Sequence, residues 1–179
     1  MGLIAYHGKQ SDKDDILDQL AKHRKADELI KGQYWAEGKG CAVGCTIYSD
    51  DHMKYEAQFG IPVMLARLEG CIFEGLLNDK AKLWPERFMG AIKPGSDLSK
   101  VGWQFLHWLL TDEKVNPGIK HPTVKTAVKR CADVVHQLSK DGTVDESAAW
   151  SAARSAESAA RSAESAARSA WSAAWCARS

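Results

Sequence analysis

The last part of the chain is built on a seven-residue repeat. Residues 151–157 read SAARSAE, residues 158–164 repeat that string, and residues 165–171 change only its last letter. Alanine is the strongest helix former, and a seven-residue period keeps each letter of the repeat on one side of a helix. The repeat therefore predicts one long Ala-rich helix over residues 143–179, and it offers no side chain suited to catalysis.

On that helix, alanines, serines and charged residues form three separate stripes. The alanines alternate steps of three and four, which is coiled-coil spacing, and their small side chains let another helix approach closely. Tryptophans near both ends supply the large apolar area that alanine lacks. We therefore predict a helix-to-helix interface that makes the protein a homo-oligomer, although packing within the chain and a solvated spacer helix remain alternatives. The predicted interface residues are Trp150, Ala153, Ala156, Ala160, Ala163, Ala167, Ala170, Trp171, Ala174 and Trp175.

Charge and cysteine content limit the partners of the whole chain. The formal net charge is +1, and both signs are interspersed, so the basic surface typical of nucleic-acid or anionic-membrane binding is missing. No run approaches eighteen apolar residues, and the N-terminus lacks a signal-peptide pattern. Five cysteines, an odd number, fit reduced thiols better than a disulfide framework. We expect a cytoplasmic protein with neither a nucleic-acid nor a membrane partner.

Before the repeat, the sequence predicts five amphipathic helices. Each start carries a capping residue or a proline, and the sustained alternation typical of strands is absent. The helices are predicted to begin near Ser11, Pro62, Trp84, Ser96 and Thr123. The predicted fold class is all-α, with a small helical domain over residues 1–142 followed by the long heptad helix.

Residues 33–59 are the exception within that domain. They are rich in glycine, hold two of the five cysteines and have one candidate strand near Thr46 to Tyr48. A loop of this length is uncommon in a small helical domain unless it is functional, and main-chain N–H groups beside glycines can point at an anion. We therefore place the ligand site here, for a small molecule such as a nucleotide or for a protein. The candidate ligand-binding residues are Lys39, Gly40, Cys41, Gly44 and Cys45.

The same loop also suits cysteine chemistry. A nearby Lys39 would lower the pKa of Cys41, so Cys41 or Cys45 would be the nucleophile and His52, His23 or His7 its base. No third catalytic group can be named, and cysteines packed as small apolar side chains are the simpler interpretation. A zinc site on Cys41, Cys45 and His52, with Asp50, Asp51 or His23 as a fourth ligand, would lack the second ligand pair of structural zinc sites. We predict no metal and no cofactor, and favour a non-enzymatic binding protein over a cysteine-dependent enzyme.

Two further expectations concern the second predicted helix and the cysteines outside the loop. Glu69 and Glu74 are five residues apart, so they do not share a helix face, and we expect both to be solvated. Cys71 and Cys131 fall among apolar residues and are expected in the core.

The run from His23 to Leu76, with its distinctive string GKGCAVGCT, is followed by WPERFMGAIKPGSDL and the Ala/Ser/Arg/Glu/Trp tail. This combination resembles an uncharacterised family of small bacterial and phage proteins, and the resemblance covers most of the chain. It implies an intracellular, phage-borne protein and, by analogy with other small phage proteins, an oligomer that binds host nucleotides or host proteins. No activity of that family supplies catalytic residues.

Overall fold

A computed structural model describes residues 2–116, 122–142, 147 and 150–161, with only the backbone at residues 122 and 123. The chain forms two compact units, residues 1–102 and residues 103–179. Helices dominate both, which confirms the all-α class. No described helix has both the length and the apolar character that crossing a membrane would require.

The first unit starts with a 3₁₀ turn at Ala5–Gly8 and contains a two-stranded antiparallel hairpin. Strand β1 is Trp35–Ala36 and strand β2 is Lys39–Gly40, with Trp35 opposite Gly40. The named helices of the described chain are α1 Gln10–Lys25, α2 Ala42–Ile47, α3 Lys54–Phe59, α4 Val63–Gly75, α5 Asn78–Ala91, α6 Val101–Thr111 and α7 Pro122–Asp141. Residues 150–161, termed here the repeat helix, are also helical.

The segment predicted as a loop, residues 33–59, is largely structured, because it holds the hairpin, α2 and α3. The predicted strand near Thr46 is wrong: Thr46 lies in α2, and its hydroxyl donates to the carbonyl of Ala42 at 2.8 Å. A Cβ on Gly44 would lie 1.4 Å from the carbonyl oxygen of Tyr34. The glycine therefore allows the main chain before the hairpin to pack directly on α2.

Helix α2 is buried over its full length, and it packs against α1, α4 and α5. The surrounding core contains large side chains that are almost completely buried, namely Tyr6, Leu20, Tyr55, Ile61, Phe73 and Met89. The hydroxyl of Tyr6 donates to the carbonyl of Met89 at 2.6 Å, and Ile4 bridges to Asp97. These contacts attach the N-terminal segment to α5 and to the turn that follows it.

Three predicted helix bounds differ from the structure. Helix α1 ends at Lys25 rather than near Gly32, and α6 begins at Val101 rather than at Ser96. Helix α5 begins at Asn78, so Pro85 lies inside it instead of in its first turn. Proline removes one main-chain donor, yet the Pro85 ring is buried in the core. Burial of the ring offsets the lost hydrogen bond at this position.

In the second unit, the repeat helix packs against α7. The thiol of Cys131 lies 3.7 Å from the carbonyl oxygen of Ala152, and both Ala132 and Ala152 are buried. Cys131 itself, predicted in the core, is half-buried. Within this unit the rings of His107 and His136 lie 4.8 Å apart.

The predicted interface stripe is only partly described. Trp150 is 67% exposed, Ala153 and Ala160 are exposed, and Ala156 is half-buried. Glu157 and Arg161 form an i,i+4 ion pair at 2.9 Å. The repeat helix therefore packs against α7 with the side that carries Ala152, and Ala153 and Ala160 stay accessible. The remaining predicted interface residues, Ala163, Ala167, Ala170, Trp171, Ala174 and Trp175, lie outside the described residues.

Candidate functional site

A cleft of about 930 Å³ lies beside Cys41 in the first unit. We call it the Cys41 cleft. Its walls come from the segment before β1, the start of α2, the segment between α2 and α3, and helix α4. The lining residues are Gly32, Gln33, Tyr34, Cys41, Asp50, His52, Arg67, Gly70, Cys71 and Glu74.

Helix α4 forms one wall with four residues on a single face. Arg67, Gly70, Cys71 and Glu74 follow the i, i+3, i+4, i+7 spacing. The two carboxylate oxygens of Glu74 accept from the N–H of Gly32 at 3.2 and 3.1 Å. Glu74 thus connects helix α4 to the segment before β1, on the opposite side of the cleft. Cys71, predicted in the core, is instead exposed in the cleft.

The opposite side carries two rings. Those of Tyr34 and His52 meet edge to face, with centroids 5.4 Å apart. The Nδ1 atom of His52 lies 3.0 Å from the carbonyl oxygen of Asp50, and a carbonyl can only accept, so Nδ1 carries the proton. In the neutral imidazole the other nitrogen, Nε2, is then left as an acceptor.

Cys41 lies immediately before α2 and is only 3% exposed. Burial raises the pKa of its thiol, and the nearby carboxylate of Glu74 acts in the same direction. Main-chain N–H groups of Gly44 and Val43 bond to the sulfur and oppose this shift. The expected lowering of the Cys41 pKa by Lys39 is therefore wrong. Desolvation of the sulfur outweighs the two N–H groups.

Cys45 is in a different environment from Cys41. Its side chain is fully buried, and the thiol donates to the carbonyl of Gly40 at 3.4 Å. Burial raises the pKa of Cys45 to about 12, so the sulfur is held as a thiol. Among the predicted ligand residues, Cys41 is on the cleft, whereas Cys45 packs in the core.

The other predicted ligand residues also lie outside the cleft lining. Lys39 is exposed on β2. A Cβ on Gly40 would lie 2.0 Å from the carbonyl oxygen of Tyr34, and Gly44 makes the even closer approach described above. Gly40 and Gly44 are needed for close packing of the hairpin on α2. Close packing therefore explains these two glycines without an anion-binding role.

Glu69 corrects a sequence-based expectation. Instead of being solvated, it is completely buried, with 0% exposure. Its Oε2 accepts from the hydroxyl of Tyr55 at 2.6 Å, while Oε1 has no hydrogen-bond partner in the described part of the chain. Burial raises the pKa of Glu69 to about 8, and the Tyr55 hydrogen bond only partly opposes this. At neutral pH the side chain is therefore mainly a neutral acid.

The Glu69 carboxyl belongs to a network that connects the elements around the cleft. Thr46 on α2 lies near Tyr55 on α3. The indole N–H of Trp84 on α5 donates to the main-chain carbonyl of Glu69 at 3.1 Å. The network thereby holds α4, which carries the charged wall, to α3 and α5, and α2, which carries Cys41 at its start, packs against α4.

No group of three or more His, Cys, Asp or Glu side chains in the described ranges is arranged to hold a metal ion. His52 and Cys41 line the cleft, but Cys45 points into the core, so the three residues weighed for zinc are not brought to one place.

No protein-family model, no curated protein and no solved structure matches this chain. The similarity to small bacterial and phage proteins stays a prediction.

We expect replacement of Glu69 by Gln to flatten the pH dependence of stability. The Glu69 pKa is 4.5 ordinarily and about 8 in the folded protein, so between these values only the unfolded state has released the proton. Rising pH then favours unfolding by about tenfold in the equilibrium constant per pH unit. The amide of Glu69→Gln can still accept the hydrogen bond from Tyr55 but cannot ionise. The decrease in stability with rising pH that Glu69 causes should therefore be absent in this variant.

Urea unfolding at pH 5.5, 6.5 and 7.5 measures the effect. The stability of Glu69→Gln relative to the wild type should increase steadily over this range, and the control Glu74→Gln, an exposed carboxylate on the same helix, should track the wild type. A constant difference between Glu69→Gln and the wild type would contradict the buried neutral acid.

Proposed function

We propose that the protein is a non-enzymatic binding protein whose Cys41 cleft holds a small molecule. The observation that carries this proposal is the concentration of uncommitted polar groups in one cleft of about 930 Å³, a volume typical of small-molecule sites. Most surface charges on a protein point into open solvent, whereas the charged side chains of this cleft line one concave surface.

Two of these groups have opposite charge. Neither the guanidinium of Arg67 nor the carboxylate of Asp50 makes a side-chain hydrogen bond or ion pair with any residue that the structure describes. An unpaired guanidinium is suited to a carboxylate or phosphate, which it binds through two parallel N–H groups. An unpaired carboxylate is suited to an amine or another hydrogen-bond donor.

The total charge of the lining indicates the kind of ligand. The lining holds one guanidinium, that of Arg67, and two carboxylates, those of Asp50 and Glu74, so these carboxylates would repel a ligand with several negative charges. A zwitterion, such as an amino acid or a short peptide, can satisfy both signs. Among the ligands considered from the sequence, a nucleotide triphosphate fits this charge pattern less well.

A bulky side chain on the α4 wall of the cleft should weaken binding. Cys71 is exposed between Arg67 and Glu74, so the side chain of Cys71→Tyr would occupy the space of a ligand. We expect amino acids or short peptides to shift the amide NMR signals of Gly32, Cys41 and Gly70. Cys71→Tyr should weaken that binding by at least about tenfold.

The matched control is Leu83→Tyr, which adds the same ring at an exposed position of α5 outside the cleft lining, and it should bind like the wild type. If no compound among amino acids, peptides and nucleotides perturbs the cleft signals, or if Cys71→Tyr binds unchanged, the proposed function is wrong.

We further propose that copies of the chain associate through the repeat helix. Support comes from the accessible positions Ala153 and Ala160 and from the exposed indole of Trp150, since small residues beside a large aromatic ring suit close helix packing.

The double substitution Ala153→Arg with Ala160→Arg tests the association. Both positions are exposed within the chain, so the protomer should tolerate arginine, whereas two closely packed helices should not. Light scattering after size exclusion should show an oligomer for the wild type and a protomer mass for the double variant. Ser151→Arg, a like change on the serine stripe, should keep the oligomer. An unchanged mass of the Ala153/Ala160 variant would contradict the association.

A second candidate function, a cysteine-dependent enzyme, is now limited to Cys41. The specific observations in its favour are the two main-chain N–H groups on the sulfur and the presence of His52 in the same cleft. Against it stands the raised pKa of the Cys41 thiol, because the thiolate is the reactive form.

Alkylation with iodoacetamide at pH 7.5, followed by peptide mapping, decides between the two functions. The binding function predicts that the exposed Cys71 reacts first, that Cys41 reacts at least about tenfold more slowly, and that Cys45 reacts only after unfolding. If Cys41 reacted faster than Cys71, the enzyme would be favoured.

A further inference from the structure

Outside the Cys41 cleft lining, three polar side chains form a continuous hydrogen-bonded chain. The Nδ1 atom of His23 lies 2.6 Å from Oε2 of Glu28, and its Nε2 atom lies 3.2 Å from the hydroxyl oxygen of Tyr48. His23 is 8% exposed, whereas Tyr48 is 49% exposed. A shielded imidazole therefore connects a carboxylate to a hydroxyl that solvent and solutes can reach.

The partners determine which nitrogen of the neutral imidazole carries the proton. A carboxylate only accepts hydrogen bonds, so the proton lies on Nδ1 of His23 and points to Glu28. The Nε2 atom is then an acceptor, and the hydroxyl of Tyr48 donates to it. Carboxylate, imidazole and hydroxyl have the same order in the Ser-His-Asp triads of hydrolases, where the imidazole takes the proton of the attacking hydroxyl.

Backbone and ring contacts hold Tyr48 in this position. Tyr48 ends α2 in the left-handed conformation, with φ 51° and ψ 39°, which is uncommon for a residue with a bulky side chain. Its ring meets the Trp35 ring edge to face at 4.8 Å and the His23 ring at 5.5 Å. Strained backbone of this kind persists where the surroundings fix it and is enriched at functional sites.

We propose that Tyr48 is a nucleophilic hydroxyl that accepts an acyl group from an ester, with His23 as its general base and Glu28 as the residue that positions His23. The Tyr48 oxygen attacks the carbonyl carbon while its proton passes to Nε2 of His23. The bond to the ester oxygen breaks, and the departing oxygen takes that proton. The products are O-acyl-tyrosine and an alcohol, and no electrons are gained or lost. The acyl group stays on Tyr48, so the reaction modifies the protein once and is not enzymatic turnover.

The general base is required because the hydroxyl does not ionise by itself at neutral pH. Burial raises the pKa of Tyr48, and the neighbouring carboxylate of Glu28 acts in the same direction. A neutral phenol is a weak nucleophile unless a neighbouring base removes its proton during attack. The Trp35 ring packs against the Tyr48 ring and provides an apolar surface there, so esters with an apolar acyl group suit the site.

The chain contains a matched internal control. Tyr34 is 49% exposed, the same as Tyr48, but its hydroxyl makes no hydrogen bond with a described residue. The probe is 4-methylbenzenesulfonyl fluoride, whose sulfur replaces the acyl carbon and gives a stable tyrosine adduct with release of fluoride. Peptide mapping of the full-length protein then compares the two tyrosines within the same molecule.

We expect native Tyr48 to react at least about a hundredfold faster than Tyr34, the usual lower limit of general-base catalysis, and the two rates to converge in 8 M urea. His23→Gln should bring the native ratio close to one while the amide NMR spectrum stays folded. Equal native rates of Tyr48 and Tyr34 would overturn the proposal even if no variant folds. An unchanged ratio in folded His23→Gln would overturn the role of His23.

Discussion

The first unit depends on how it accommodates the carboxyl group of Glu69 in its interior. A buried carboxylate without compensating partners is costly, and here the only side-chain partner in the described chain is the hydroxyl of Tyr55. Retaining the proton removes most of that cost. The neutral acid thereby attaches α4 to α3, and α2 packs against α4 beside it. Both the thiol of Cys41 and the charged face of α4 owe their positions to this network.

Close main-chain packing is the second constraint. Gly40 and Gly44 lie so near the carbonyl of Tyr34 that no side chain fits at either position. This contact places the hairpin over α2 and brings Tyr34 to the cleft, and Tyr48 at the end of α2 bonds to His23. The Cys41 cleft and the chain of Glu28, His23 and Tyr48 are therefore two products of one short buried helix and its neighbours.

The sequence predicts the fold class and the long helices because their signals are local. Helix α4 follows Pro62 and α7 begins at Pro122, next to the predicted cap. Helix α2 escapes prediction because its six residues are buried on every side and show no periodicity. Glu69 had a signal: it lies four residues from both Leu65 and Phe73, in the middle of the buried stripe of α4. The pairing of Tyr55 with Glu69 and that of His23 with Tyr48 depend on tertiary contacts that no local pattern contains.

Direct titration of the Glu69 carboxyl carbon by ¹³C NMR tests the central claim most directly, because it reports the protonation of this one group in the folded protein. With the side chain fully buried and bonded through Oε2 alone, the signal should titrate with an apparent pKa near 8. A midpoint near the ordinary value of 4.5 would show a solvated carboxylate and would contradict the buried network on which the cleft depends.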